Sequence, residues 1–259
     1  MRITVLGSGS SGGTPMLGPD GWGACDPANP KNRRSRPSIL VEAGGTRLLV
    51  DTSPDLREQL LAANIWEIDA ILYTHAHADH VNGIDDIRSL NYHRGGPLDA
   101  YANRQTLDAL EERFAYVFEP YGAVRPQFYR PCLTPHEIEG PFRIGAIDIV
   151  PFEQEHGRMP SLGFRFNKFA YSTDVKALSE EAFAVLAGVE VWVVDCLSET
   201  PHPTHSHLAQ SLDWVARVAP KRAIFNHLSH RTDYRNLADK LPAGIEPAYD
   251  GMVIEVGGE

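Results

Sequence analysis

Short runs rich in Val, Ile and Leu alternate with stretches of helical spacing along the whole of this 259-residue chain, and that alternation limits the fold before any motif is considered. Extended segments are expected at residues 3–6, 38–42, 46–50, 70–73, 98–101, 144–151, 161–166, 169–172, 191–194, 223–225 and 252–256. Apolar residues recur three and four apart at 55–63, 84–92, 104–114, 179–186, 207–218 and 234–240, which predicts amphipathic helices there. Helices interleaved with strands in this way should cover the outer faces of the sheets, giving an α/β architecture. No Ser/Gly linker, low-complexity tract or internal repeat divides the sequence, so one domain over residues 1–259 is expected, with 42% hydrophobic residues to build its core.

A formal charge of -10 argues against a surface that coats a large nucleic acid, because such a surface must neutralise phosphates. The run Lys31-Asn32-Arg33-Arg34-Ser35-Arg36 is a local exception, readable equally as a solvated basic loop or as a phosphate contact. No apolar stretch approaches the roughly 20 residues that span a bilayer, and the first residues lack the apolar core and cleavage site of a secretory signal. A cytoplasmic protein with no membrane partner is therefore expected. Cys25, Cys132 and Cys196 are too few and too scattered for a disulfide framework or a cysteine-type zinc knuckle. The aromatic stretch 115–131, with Tyr116, Phe118, Tyr121, Phe128 and Tyr129, lacks a clear period. Packing onto its own domain ranks ahead of a substrate lid or a dimer contact.

The chemistry is concentrated in Thr74-His75-Ala76-His77-Ala78-Asp79-His80, directly after the apolar run that ends at Tyr73. Such density of imidazole and carboxylate does not suit core packing, and a surface loop without a task is the weaker reading. Neutral imidazole suits Zn, Mn, Fe or Co, and a carboxylate adds the negative charge that a second divalent ion needs. Later in the chain His156, Asp174 and His227 each follow a strand-like run. Strand ends are where α/β proteins gather functional groups into a cleft. Each alone is an ordinary polar residue, but with the first cluster they make seven donors, enough for two metals sharing one carboxylate. The glycine-rich segment 7–13 lacks the Lys-Ser/Thr ending of a phosphate loop. It is expected to approach the metal cleft closely, ahead of binding phosphate through its amides.

The His-x-His-x-Asp-His pattern at 75–80, followed in order by His156, Asp174 and His227, resembles the metallo-β-lactamase superfamily. That resemblance implies a four-layer αββα sandwich of two mixed β-sheets. It assigns His75, His77 and His156 to one metal and Asp79, His80 and His227 to the other, with Asp174 as the bridge. Within the superfamily the chain is most similar to the phosphodiesterase branch that includes the phosphoribosyl cyclic phosphate phosphodiesterases of phosphonate breakdown. The carriers of that likeness are the glycine-rich opening, Val194-Asp195-Cys196, Asn226-His227-Leu228-Ser229-His230, and His205 at its spacing before His227.

The resemblance implies hydrolysis of a small phosphodiester or nucleotide, cyclic phosphates included, by two divalent ions, Mn or Zn with Fe acceptable. A water shared by the two ions would lose its proton near neutral pH. His205 would protonate the leaving oxygen or brace the phosphate, with Asp79 and Asp174 as the other catalytic residues. Asp51 is the expected partner of a ligand histidine and Asp195 a weaker one. His207 and His230 read as structural, while His93, His136 and His202 receive no role. A homodimer is implied by the resemblance alone. Relatives build a structural zinc from several cysteines and a histidine, but only Cys25 and His230 stand here, so the loop from Pro19 to Arg36 must be held some other way. Three other readings stay open: a tRNA 3′-processing endonuclease, a thioesterase of the glyoxalase type, and a non-catalytic metal-binding accessory protein.

Overall fold

The computed structural model describes residues 1–119 and 130–257. The first half runs β1 (Arg2–Gly7), β2 (Ser38–Ala43), β3 (Thr46–Val50), α1 (Leu56–Ala62), β4 (Ala70–Leu72), α2 (Ala78–Val81), α3 (Ile87–Arg94), β5 (Leu98–Ala102), α4 (Arg104–Arg113), α5 (Ala115–Phe118) and β6 (Leu133–Glu137). The second half runs β7 (Phe142–Ile144), β8 (Ile147–Gln154), β9 (Ser161–Phe166), β10 (Phe169–Ser172), α6 (Glu180–Leu186), β11 (Val191–Asp195), α7 (Leu208–Val218), β12 (Arg222–Asn226), α8 (Tyr234–Ala238), β13 (Ile245–Pro247) and β14 (Met252–Glu255). They form two seven-stranded sheets, ordered β14-β1-β2-β3-β4-β5-β6 and β13-β12-β11-β10-β9-β8-β7. Both sheets are mixed: β14 to β3 pair antiparallel and β3 to β6 parallel, while β7 to β10 pair antiparallel and β10 to β13 parallel.

The strand sequences explain the layering. Ile39, Val41, Leu48, Val50, Val191, Val193 and Ile224 point into the core between the two sheets. Their alternate neighbours Leu40 and Leu49 pack under helices on one outer face, and Trp192, Val194 and Phe225 on the other. Strands apolar on both faces read as unbroken hydrophobic runs, and burying each such side chain contributes about 1.5–3 kcal/mol. The result is the four-layer αββα sandwich that the resemblance implied.

Where the elements depart from expectation, the causes are local. The run 144–151 is not one strand: Gly145, at φ 52°, turns the chain between β7 and β8. β6 and β13 were not anticipated, since Pro135 and Pro247 sit inside them, but both strands lie at a sheet edge, where a missing amide costs no ladder bond. The one-turn helices α2 and α5 are too short to show a period. Residues 120–129, including Tyr121, Phe128 and Tyr129, lie outside the described residues. Of the same stretch, Tyr116 is exposed and its hydroxyl donates to Asp85 Oδ1 at 2.5 Å. No helix among the described residues is long and apolar enough to cross a membrane. All three cysteines are buried and unbridged.

Candidate metal centre

β4 ends at Leu72, and the chain continues through Tyr73 and Thr74 to His75, fixed from two sides. Thr74 N–H and hydroxyl both donate to Asp51, at 2.8 Å each, and Thr74 O accepts from Leu162 N–H in the opposite sheet at 2.9 Å. α2 then turns Asp79 and His80 inward. Its C-terminal end packs so closely on the loop after β3 that a Cβ on Gly83 would stand 1.9 Å from Ser53 O, which only glycine avoids. His156 follows β8, Asp174 follows β10 and His227 follows β12. Asp51, Asp174 and His227 all adopt left-handed backbone, with φ of 65°, 52° and 57°. Each stands at the end of a strand, where an extended residue would carry the chain onward; strain of this kind concentrates at functional sites.

These residues converge. His77 Nδ1 lies 2.9 Å from His75 Nε2 and 3.2 Å from His156 Nε2. Asp174 Oδ2 lies 3.7 Å from His75 Nε2 and 3.4 Å from His156 Nε2. The other oxygen, Asp174 Oδ1, stands 3.1 Å from His80 Nε2 and 3.2 Å from His227 Nε2. Asp79 Oδ2 completes that second group, 3.4 Å from His80 Nε2 and 3.6 Å from His227 Nε2. Donors about 2.1 Å from one tetrahedral cation stand about 3.4 Å apart, so both groups have the dimensions of a Zn-sized ion's shell.

Proton positions agree with a metal. His156 Nδ1 lies 2.8 Å from Thr204 O, which only accepts, so the proton is on Nδ1 and the Nε2 lone pair faces inward. His80 Nδ1 lies 2.7 Å from Asp51 Oδ2, the outer carboxylate contact that metal-binding imidazoles usually have. His80 Nε2, His227 Nε2 and Asp79 Oδ2 are buried without a hydrogen-bond partner among the described residues, a costly arrangement that a cation removes.

The electrostatics point the same way. Burial alone would raise the pKa of Asp174, yet His227 and His80 beside it hold it well below the usual carboxylate range. Burial disfavours a charged His80, but Asp174, Asp79 and Asp51 raise it well above an ordinary imidazole. Burial, with His80 next in effect, keeps His75 well below its ordinary value. A pocket with this pull toward positive charge, lined by imidazole and carboxylate, fits divalent cations.

His205 stands on the loop between β11 and α7, its Nε2 3.9 Å from Asp174 Oδ2 and its ring stacked 4.8 Å from that of His227. Its Nδ1 lies 3.2 Å from Asp195 Oδ2. Burial works against its charged form, and the Asp195 carboxylate overrides this, lifting the pKa to about 9. Asp195 Oδ1 lies 3.8 Å from His227 Nδ1, so one buried carboxylate faces both rings.

All seven residues singled out in the sequence thus meet at one place, with His205 and Asp51 beside them. His207 stands at the start of α7 and His136 pairs with Asp99 at 2.8 Å, both apart from the cluster. The glycine-rich segment approaches the cleft as expected: Leu228, next to His227, accepts from Ser10 N–H and donates to Ser8 O. The amides of Ser8, Gly9, Ser10, Gly13 and Thr14 all donate within the protein, which leaves little of a phosphate cradle.

The basic run 31–36 is mostly inward-facing. Lys31 lies over the rings of Tyr234 and Tyr249, at 4.5 and 4.3 Å, and Arg36 pairs with Asp55 at 2.9 Å. Arg34, 2% exposed, donates to Ser229 O at 3.1 Å, Thr232 O at 2.8 Å and Asn32 Oδ1 at 3.1 Å, with Cys25 Sγ 4.0 Å away. A buried guanidinium therefore ties the loop from Pro19 to Arg36 to the segment that follows His227. Sequence reading missed this role, because nothing in a basic run marks which member is buried.

The sequence model of the β-lactamase superfamily domain matches residues 46–228. Among curated relatives, an octanoyltransferase of Porphyromonas gingivalis is 34% identical over 97% of this chain and 51% of its own length. A ribonuclease Z of a Bradyrhizobium species is 35% identical over 53% of this chain and 46% of its own. The chain spans about half the length of these relatives. Among solved structures, a diphosphatase of the PhnP family is 35% identical with a TM-score of 0.88, covering 99% of this chain and 98% of that one. With its sandwich, its donor set and these likenesses taken together, the chain belongs to the β-lactamase superfamily, in the PhnP-like branch of its metallo-β-lactamase fold.

Proposed function

We propose that the chain is a metal-dependent hydrolase of small phosphodiesters. The observation that carries this reading is the sharing of one carboxylate, Asp174, by two groups of cation donors, with the proton-bearing His205 3.9 Å from it. His75, His77 and His156 would hold one divalent ion and Asp79, His80 and His227 the other, with Mn, Zn and Fe all acceptable to this donor set. Cations held there supply Lewis-acid charge for phosphoryl oxygens and acidify water at neutral pH.

The chain's own residues do the rest. Asp174 divides its two oxygens between the donor groups and so fixes their separation. Asp51 holds His80 with its Nε2 turned inward. His205, protonated at neutral pH with a pKa of about 9, donates to the departing oxygen, and Asp195 keeps its Nε2 aimed at the centre. A diester suits this site better than a monoester, whose second negative charge would face Asp79 and Asp174 as well as the cations.

The diphosphatase of the PhnP family and the ribonuclease Z both act at phosphorus, and their likeness supports this class over acyl transfer. The octanoyltransferase is matched over only half its length, and its activity is not carried over. Ribonuclease Z activity is the second reading, favoured by that local identity and opposed by the charge of -10. The test is hydrolysis of bis(p-nitrophenyl) phosphate by protein reconstituted with Mn or Zn. Turnover that EDTA abolishes is expected, and an inert reconstituted protein would point to a binding role instead.

A further inference from the structure

The loop that presents His205 carries a second imidazole. His202 lies with its ring 5.1 Å from that of His205 and tilted by 50°. Its tautomer follows from its neighbour: Thr204 N–H donates to His202 Nδ1 over a long 3.4 Å, and the Thr204 hydroxyl stands 3.3 Å from the same nitrogen. A neutral ring that accepts at Nδ1 carries its proton on Nε2. Among the described residues no acceptor meets that Nε2–H.

The backbone under His202 is anchored more firmly than an idle loop requires. Lys176 Nζ donates to His202 O at 2.7 Å. Lys176 is itself held at both main-chain groups, its N–H donating to Glu155 O at 2.6 Å and its O accepting from Gln210 Nε2 at 2.8 Å. Because His156 Nδ1 also donates to Thr204 O, the segment from His202 to His205 is fastened to the loops that carry His156 and Asp174. A rigid, half-exposed ring with an open donor thus lies next to His205, the group assigned to protonate the leaving oxygen.

We propose that His202 contacts substrate on the leaving-group side: its Nε2–H hydrogen-bonds a hydroxyl on the carbon next to the one that bears the departing ester oxygen. The centre would then select alcohols with a neighbouring hydroxyl over plain alkyl alcohols. This assignment rests on the phosphodiester reading above. Lys176 serves as a positioning residue, acting through the carbonyl of His202.

The experiment uses calorimetry on the zinc-loaded protein with glycerol 1-phosphate and propyl phosphate, three-carbon esters that differ in their hydroxyls. Wild-type protein is expected to bind the glycerol ester about tenfold more tightly, the scale of one well-placed hydrogen bond. In His202→Ala and His202→Phe, which lack the donor, the ratio should fall to about one, and His202→Gln, whose amide nitrogen can take the place of Nε2, should restore most of it. Equal binding of the two esters by wild-type protein, or an unchanged ratio in the donor-less variants, overturns the assignment. If wild-type protein neither binds the esters nor cleaves bis(p-nitrophenyl) phosphate, the phosphodiester reading falls and this assignment with it. Cleavage of that diester without a glycerol preference removes only the role of His202.

Discussion

Replacing Arg34 by Met tests how the loop from Pro19 to Arg36 is held. The guanidinium makes three hydrogen bonds, to Ser229 O, Thr232 O and Asn32 Oδ1, from a position 2% exposed. Methionine fills much of the same space and donates to none of them. Each acceptor keeps a second donor, Thr232 N–H at Ser229 O, the Cys25 thiol at Thr232 O and Tyr234 N–H at Asn32 Oδ1. The loss is therefore that of the charged hydrogen bonds themselves, about 1.5–3 kcal/mol each. Part of this is returned because the cost of burying the guanidinium, already visible in a pKa pulled below its ordinary value by burial, disappears. A net loss of about 3–5 kcal/mol is the expectation, or about 6–10 °C in melting temperature for a chain of this size. The loop should open before the sandwich does, so the assay pairs calorimetric melting with native-state thiol labelling. Cys25, 4% exposed and with its pKa raised chiefly by burial, should become reactive in Arg34→Met, while Cys196 in the core stays protected as the internal control. Arg34→Lys should fall between, since an ammonium reaches fewer of the acceptors. A melting point within 2 °C of wild type, with Cys25 still protected, would refute the reasoning.

His77→Ala and Asp174→Ala should each lose bound metal and all turnover, whereas His205→Ala should keep its metal and lose turnover; metal analysis beside kinetics separates the two outcomes, and an active His205→Ala protein would end the acid assignment. Activity should decline as pH rises through about 9, because the fold raises His205 above 6.5: the stability that its charged form adds is complete below about 6.5 and is lost as pH passes through about 9. Asp195→Asn should move that alkaline limb to lower pH, and a limb that stays in place would remove Asp195 from the pair. Asp51→Asn should weaken metal affinity by about 10–100-fold, read by competition with a chelating dye. Chelation should lower the melting temperature by about 8 °C if the metal is present at about a thousand times its Kd, with little further change in His77→Ala.

The sequence disclosed the layers and the donor set for a physical reason. Strands buried on both faces must be apolar throughout, as Ile39 to Val41 and Val191 to Val194 are, and four of the seven donors lie within the single run from His75 to His80. What it concealed depends on distance or on context. Asp250 joins two loops by accepting from the amides and hydroxyls of Ser8 and Ser35, at 2.7–2.9 Å, yet nothing in its neighbours signals this. Arg34 and Arg33 are adjacent and chemically alike, but one is buried and the other lies over Trp22. Pro135 and Pro247 are excluded from the middle of a sheet and allowed at its edge, and only the strand order tells which applies. His202 carried no signal, since its open donor depends on how Thr204 folds back onto it.

The left-handed backbone at Asp51, Asp174 and His227 bears on how this centre can change over evolutionary time. Asp, Asn and His are the side chains, glycine apart, that this region of conformational space accepts most readily, while β-branched residues are shut out. Each of the three positions is thus filtered twice, by what the backbone tolerates and by what the chemistry requires. Few residues pass both filters, so divergence among descendants should be scarce at these strand ends and should accumulate instead in the surrounding loops.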